Sequence, residues 1–517
     1  MKMKKLGVWF LSLMVALSII LPFAQFEAEA KAFDPNAEYK DINLRFWNDE
    51  KPNQRFYINA ASRYILETVK KPEMGSTFGE WSVMDLLRGM YTGADYINYI
   101  PENYFTDYKS RIDTYVKDID GNLDRNKSTE WSRLTLSMTS LGFPITDIAG
   151  YDFVDRLAQS HKFSYRQGIN GPIWEIIALN TGGYEFPETP SKFVEGDINT
   201  VGKMIDYIMK LEITDKTNKK GGWALFGKVP DPDITGMALQ SLAPYYVDAS
   251  KYPKKDINTS YEDFKKAVER AIKVLSEIQA DGGAYKAFGN INAESTTQVI
   301  VALTAMNMDP KAKVINLPTI NDQAHFNQKG GVNDGVYTDN MMDALYTFFA
   351  ERSGSSPEVS GFKHVTSGYD GGGGSGTGVN AMGTDQSLYG LIAYDRYINK
   401  EKPLYDMTDQ SNGQYKNMKA KKFKVLFDTE GTTSEETYSP YATLNIPASS
   451  PTSNAKVITW NTKKDGSGVA YLPNELLVMP EQNITLYAQF ENQYFAINYE
   501  LNGGEFNICS VEFPHLL

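Results

Sequence analysis

Apolar positions recur along this chain in two alternating modes. In one mode they fall on a single stripe at helical spacing. Tyr261 to Gln279, YEDFKKAVERAIKVLSEIQ, places Phe264, Ala267, Ala271, Val274, Leu275 and Ile278 on one face and its charges on the other. In the other mode nearly every side is apolar, as in GPIWEIIALN (171–180), where Pro172 suits a first helical turn. GEWSVMDLLRGM (79–90) and TEWSRLTLSMTSLG (129–142) share Glu-Trp-Ser and helical spacing, with Tyr104 to Ile119 between them as a more charged helix. Asp152 to Gln159 and Asp197 to Leu211 continue the alternation. Repeated about six times, the pattern predicts an inner ring of surrounded helices and an outer ring of amphipathic ones.

The stretch GGWALFGKVPDPDITGMALQSL (221–242) reads as a turn, a loop and the start of a buried helix, and its grammar returns in 279–303. Gly222 precedes Thr235 by thirteen residues, as Gly283 precedes Thr296. The shared core is Thr-x-x-x-apolar-x-x-Leu, at Thr235/Leu239/Leu242, Thr296/Ile300/Leu303, Thr338/Met342/Leu345 and Thr384/Leu388/Leu391. The glycines permit positive φ where an outer helix ends. Asp233 and Glu294 sit where a carboxylate favours a helix N-terminus.

After Met407 the pattern changes. Residues 408–422 read as a polar linker, and the β-branched and aromatic runs Phe423 to Phe427, Lys456 to Trp460 and Asn483 to Phe490 as a small β-rich module. Residues 494–505 restart the module, and 506–517, which hold Cys509, do not continue it. At the other end MKMKK, the apolar run Leu6 to Ala24 and Ala28-Glu29-Ala30 form a cleavable secretory signal over 1–30, followed by a mixed lead-in segment over 31–77.

Composition narrows the function classes. The 517 residues carry a formal charge of −12 without a basic stripe, which argues against nucleic acid as a partner. With four histidines, none in ligand-pair spacing, and one cysteine, no metal or cofactor site and no disulfide framework is expected. No apolar run after the signal is long enough to span a membrane. Asp118 to Asp124 alternates oxygen side chains but departs from a calcium-loop frame, and Gly368 to Gly378 lacks the strand and the Lys-Ser/Thr of a phosphate loop.

GGW…DPDITGMALQSL, IQADGGAYKAFGNINAESTTQVIVAL and TDQSLYGLIAYDRYINKEKPLYDM resemble the prenyltransferase/terpenoid-cyclase repeats of secreted Gram-positive surface proteins, over residues 78–407. That resemblance implies a mainly α protein built on an α/α toroid. Phe423 to Asp428, Trp460 to Gly468 and Leu486 to Phe490 resemble the internalin-type B repeat over 423–490, which implies a small β-grasp-like surface or adhesion module. A partial second copy follows in 491–517.

Several chemistries remain open on these residues. In the related cyclases the middle acid of an Asp-x-Asp-Asp motif protonates an alkene. Asp233 holds that place in Asp231-Pro232-Asp233-Ile234, but Ile234 replaces the last acid, and helix capping explains both Asp233 and Glu294. A zinc-dependent prenyltransferase is excluded, because its Asp-Cys-His site needs a cysteine and the only one, Cys509, lies in the tail outside the repeats. A glycan-active toroid would use paired carboxylates, for which Asp339, Asp343 and Asp385 are the candidates. The reading adopted is a non-catalytic module holding an unknown small ligand or cell-surface component at a cavity mouth. Asp231, Asp233, Glu294, Gln298, Asp385 and Gln386 would supply polar groups there, and Trp223 and Tyr285 apolar walls.

Overall fold

The computed structural model describes residues 54–490, apart from 76–78, 124–126, 160, 189, 191–197, 215–219, 288, 351–358, 367–377 and 452–455. The signal at 1–30, the Gly-rich run over 368–377 and the partial repeat at 491–517 lie outside the described residues. The described chain is rich in helix, with a small sheet region at its C-terminal side.

The helices are α1 (Gln54–Thr68), α2 (Glu80–Gly89), α3 (Tyr104–Asp118), α4 (Ser128–Ser140), α5 (Phe153–Gln159), α6 (His161–Ser164), α7 (Asn170–Thr181), α8 (Val201–Lys210), α9 (Pro232–Val247), α10 (Tyr261–Ile278), α11 (Ala293–Ala305), α12 (Met341–Tyr346) and α13 (Ala381–Ile398). Six of them close a circuit of contacts. α2 packs on α4, α4 on α7, α7 on α9, α9 on α11, α11 on α13, and α13 back on α2. Four others back this circuit: α1 lies on α13, α8 on α7, α10 on α9 and α12 on α11. The division follows the sequence pattern. α7, α9 and α11 are buried on almost every side, whereas α10 buries only the stripe containing Phe264, Val268, Ala271 and Leu275.

Backbone approach between circuit helices depends on small residues. A side chain at Gly236 of α9 would meet the Gln298 backbone of α11 at 2.9 Å, and one at Gly390 of α13 would meet Thr297 of α11 at 2.6 Å.

The repeated threonine has a physical role. Thr235 Oγ1 accepts from the Trp223 N–H at 2.9 Å and donates to the Trp223 carbonyl at 2.9 Å. Thr296 Oγ1 accepts from Tyr285 N–H at 3.0 Å, and Thr384 Oγ1 from Phe362 N–H at 2.9 Å. Each first helical turn therefore clasps the aromatic of the turn before it. Gly222 (φ 73°) and Gly283 (φ 99°) turn the chain through the left-handed region just ahead of two of these clasps. The Thr338 copy differs. It ends a strand and donates to Gly282 O at 2.8 Å, and the short α12 that follows lies behind α11 rather than in the circuit.

Two expected boundaries fall elsewhere. The lead-in segment contains α1, an integral layer whose Phe56, Tyr57 and Ile58 have no exposed surface. Residues 408–422 are anchored along the helices rather than spanning a gap. Just ahead of them Met407 N–H donates to Thr181 O at 2.8 Å, and within them Tyr415 packs edge-on against Phe105 at 5.0 Å and Lys421 N–H donates to Gly93 O at 2.8 Å. Asp409 is held between two buried arginines, at 2.7 Å from Arg88 and 2.6 Å from Arg396.

In the C-terminal module a five-stranded sheet runs in the order 432–438, 423–429, 484–489, 459–461, 470–471. Ile484–Gln489 lies parallel to Phe423–Thr429, with Leu486 opposite Phe427. A second pair joins Thr443–Asn445 to Leu476–Val478. Val425, Phe427, Trp460, Leu477 and Leu486 form its core. Trp460 donates its indole N–H to Pro447 O at 2.9 Å, and Asn461 Oδ1 accepts from the Lys463 and Gly468 N–H groups, which fixes the Trp460–Gly468 turn.

The module is seated on the helices. Tyr441 and Val478 are buried in the helical core rather than in the module's own. Arg55 of α1 donates to Asp395 of α13 at 2.9 Å and to Glu481 of the module at 2.8 Å. Burial alone would lower the Arg55 pKa, but these two carboxylates outweigh it and raise it.

Candidate functional site

Polar groups gather at three levels of the circuit. The first is where α9 and α11 begin. Asp231 caps α9, accepting from Ile234 N–H at 2.9 Å. Glu294, in the first turn of α11, lies 2.7 Å from His364 Nδ1, and both are buried. Asp233 lies beside them. Burial first, and then the Asp231 charge, push its pKa up to about 8, while the Ser295 hydroxyl and His364 pull the other way. Ser295 is close enough to matter electrostatically, yet neither its Oγ nor Asp233 Oδ1 closes a hydrogen bond among the described residues.

The second level is the interior. Gln240 of α9 donates to Gln298 Oε1 of α11 at 2.8 Å, and Gln298 donates to Gln386 Oε1 of α13 at 3.0 Å. Tyr389 closes the chain, bonded to both Gln298 and Gln386. Three neighbouring helices are thus linked by amides. Alongside sit two carboxyls on facing helices, Asp385 of α13 and Asp85 of α2. Ser82 donates to Asp385 at 3.2 Å. Burial, opposed by the Ser82 bond and aided by Glu80, sets the Asp385 pKa at about 8. Asp85 is raised well above the carboxylate range by burial and by Asp385, and neither of its oxygens has a hydrogen-bond partner among the described residues. Two like charges so placed cannot both ionise at ordinary cost. Trp81, Trp174, Tyr389 and Tyr405 surround this level, Trp81 and Trp174 meeting edge-on at 5.0 Å.

The third level is where α7, α9 and α11 end. A cavity of about 220 Å³ opens there under the 403–406 segment. A second cavity, of about 370 Å³, lies outside the circuit between the end of α10 and residues 322–329, with Lys273, Asp322 and His325 on its walls.

The expected site residues therefore divide. Asp231, Asp233 and Glu294 share the first level, and Gln298, Gln386 and Asp385 share the second. Trp223 and Tyr285 are not walls of a mouth. Both have no exposed surface, and they are consumed in tying the circuit to its backing helices, Trp223 Nε1 donating to Ile208 O and Tyr285 Oη to Leu275 O. The proposed convergence of Asp339, Asp343 and Asp385 does not occur. Asp339 is exposed and lies 3.5 Å from Lys313, and Asp343 is on α12, outside the circuit.

Asp85, His364, Gln240 and Tyr405 were not anticipated. Asp85 had a signal, an acid inside the apolar run Met84-Asp85-Leu86-Leu87. Gln298 and Gln386 follow their repeat threonines by two residues, but Met237 takes that place in α9, and Gln240 supplies the amide from the next turn.

Among the described residues no three His, Cys, Asp or Glu side chains are grouped to hold a metal ion, and no helix is long and apolar enough to cross a membrane.

Comparison with known proteins bears chiefly on the C-terminal module. Residues 423–489 match the Listeria-Bacteroides repeat domain family. A 45-residue stretch is 44% identical to a protein of Evansella cellulosilytica described as a Gly-rich membrane protein, covering 9% of this chain and only 5% of that protein's length. The solved structure of haptocorrin in complex with Cbi aligns over 83% of this chain and 97% of that chain, at 10% identity and a TM-score of 0.35, a likeness too distant to bear on fold or function. The repeat supports a surface-associated protein.

Proposed function

We propose that this chain is an exported, surface-displayed binding protein, in which an α/α toroid holds a small ligand and the B-repeat module carries it at the cell surface. The observation that carries this reading is the joint between the two parts. A repeat of surface proteins is seated on the helical circuit through Tyr441, Val478 and the Arg55–Glu481 pair, so that the circuit is displayed as a fixed body. The six-helix circuit supports the toroid. The non-catalytic part rests on the acids, most of which are occupied: Asp231 by a helix cap, Glu294 by His364, Asp385 by Ser82. The test is native mass spectrometry of the full chain exported from a Gram-positive host in rich medium. A stoichiometric adduct is expected, and a clean apo mass counts against ligand carriage.

A second reading has one specific observation behind it. Asp233 has a pKa of about 8 and an unpartnered oxygen, the state that a general acid acting on an alkene requires. Incubation with a linear polyprene separates the two readings. A cyclised product lost in Asp233→Asn would establish the enzyme, and no product from either protein leaves the binding module standing.

A further inference from the structure

We propose that the cavity at the C-terminal ends of α7, α9 and α11 is a binding site for a small organic ammonium ion with an apolar body. The proposal deepens the binding-module reading and rests on it. The cavity holds about 220 Å³, and its sides are the apolar faces of Ile177, Ala243, Pro244, Val301 and Leu404. An empty apolar cavity of this size would need no further explanation, but this one carries unsatisfied polar atoms. Gln240 Oε1 and Tyr405 Oη are both buried, both belong to lining residues, and neither has a hydrogen-bond partner among the described residues. A buried polar atom without a partner is costly, so each is a group that a ligand can satisfy.

Gln240 Oε1 can only accept, and the Tyr405 hydroxyl can accept as well as donate. The Gln240 amide N–H₂ is already committed to Gln298, which leaves Oε1 as its free function. Pro244 lies inside α9 and has no N–H, so the Gln240 backbone carbonyl also lacks its helical donor. Three helices end beside the cavity, and the last carbonyls of each carry partial negative charge. At the rim, bonds from Ser250 hold Asp248 below the usual carboxylate range, so that it is anionic at neutral pH. Asp406 also lines the rim and Lys251 opposes both, so the rim carries two carboxylates against one ammonium, with Asp248 and Lys251 both screened by water. Tyr405, perpendicular to Trp174 at 6.1 Å, puts an aromatic ring in the lining, and such rings attract ammonium groups. A donor-rich cation with a compact hydrocarbon part therefore complements the depth, the walls and the rim together, whereas a carboxylate would face Gln240 Oε1, the helix C-termini and two rim carboxylates, with the Tyr405 hydroxyl and Lys251 as its donors.

The experiment is calorimetric titration of the full chain with benzylammonium, and with benzyl alcohol and benzoate as probes of the same shape. Benzylammonium is expected to bind with a dissociation constant of about 1 mM or tighter, as its few heavy atoms allow, and benzoate at least about tenfold more weakly. Val247→Trp, at a half-exposed position on the mouth, should abolish binding without unfolding the protein, and Tyr405→Phe should weaken it several-fold. Equal binding of benzoate, unchanged binding in Val247→Trp, or no benzylammonium binding would overturn the site. Native mass spectrometry of Val247→Trp separates this failure from that of the broader reading. An adduct on the wild-type chain that survives the substitution removes this cavity and keeps the binding module, whereas no adduct on either protein removes the module.

Discussion

Thr235 and Trp223 hold each other by two hydrogen bonds between one hydroxyl and one backbone residue, each 2.9 Å long. The Trp223 carbonyl has a second donor in Asp231 N–H, so loss of the hydroxyl orphans chiefly the Trp223 N–H. Thr235→Val keeps the shape and removes the clasp, and should destabilise the chain by about 1–3 kcal/mol. Thr235→Ser should lose less. Urea denaturation of the two variants checks the order, and equal midpoints would show that the clasp contributes nothing.

Asp409 stands between Arg88 and Arg396, both almost wholly buried. Burial, then the neighbouring Arg396, lowers the Arg88 pKa to about 10, so Arg88 remains charged at neutral pH and needs its partner. Asp409→Ala leaves two buried cations facing each other and should cost about 3–5 kcal/mol in denaturation experiments. A loss below about 1 kcal/mol would mean that water replaces the carboxylate.

The buried acids predict an unusual dependence on pH. Asp233, Asp385 and Glu175 each have a pKa of about 8 in the folded chain, in every case chiefly through burial. An unfolded carboxyl titrates near 4, so the folded state holds these protons more tightly. Their stabilising contribution is complete below about pH 4 and is lost as pH rises through 8. Stability should therefore fall between pH 5 and pH 8.5, by up to about 1.4 kcal/mol per pH unit for each carboxyl. Asp385→Asn should flatten that slope. The lowered group Asp409 acts in the opposite direction, but only where pH falls below the carboxylate range. A denaturant midpoint that rises from pH 5 to pH 8.5 would refute the assignment.

Glu481 tests the joint. It is partly exposed and paired with Arg55, which keeps Asp395 when Glu481 is lost. Glu481→Ala should cost only about 0.5–1 kcal/mol globally. It should nonetheless speed tryptic cleavage at Lys419, Lys421 and Lys422 by loosening the seat of the module. Unchanged cleavage would place the strength of the joint in Tyr441 and Val478 alone.

How much of this was readable beforehand varied with the physics involved. The two helix types were legible because burial on all sides and burial on one side leave different periodicities, as α7 and α10 illustrate. The repeat threonine was legible as a pattern, but its partner was not, since the clasp joins residues eleven to twenty-two apart through the backbone. Trp223 and Tyr285 were misplaced because an aromatic beside a glycine turn reads the same whether it faces a cavity or a neighbouring helix. The 408–422 segment looked like a linker because its composition is polar. Its attachment comes from Asp409 meeting Arg396, thirteen residues earlier on α13, together with Arg88, more than three hundred residues earlier, and that second partner lies in no local window. His364 reaches Glu294 across seventy residues for the same reason.

The parallel pairing of Ile484–Gln489 on Phe423–Thr429 sets how tension passes through the C-terminal module. The chain comes into the module at Phe423 and leaves this sheet after Gln489. Because the two strands run the same way, these points lie at opposite ends of the pair. A pull between them slides one strand along the other, and every registered bond from Ile484 to Tyr487 is loaded at once. The antiparallel partner Thr432–Tyr438 would instead peel from its end, one bond at a time, if it carried the load. The module is thus stiffest along the line that joins the helical circuit to whatever lies beyond Gln489, and force spectroscopy along that line should register a shear-type rupture.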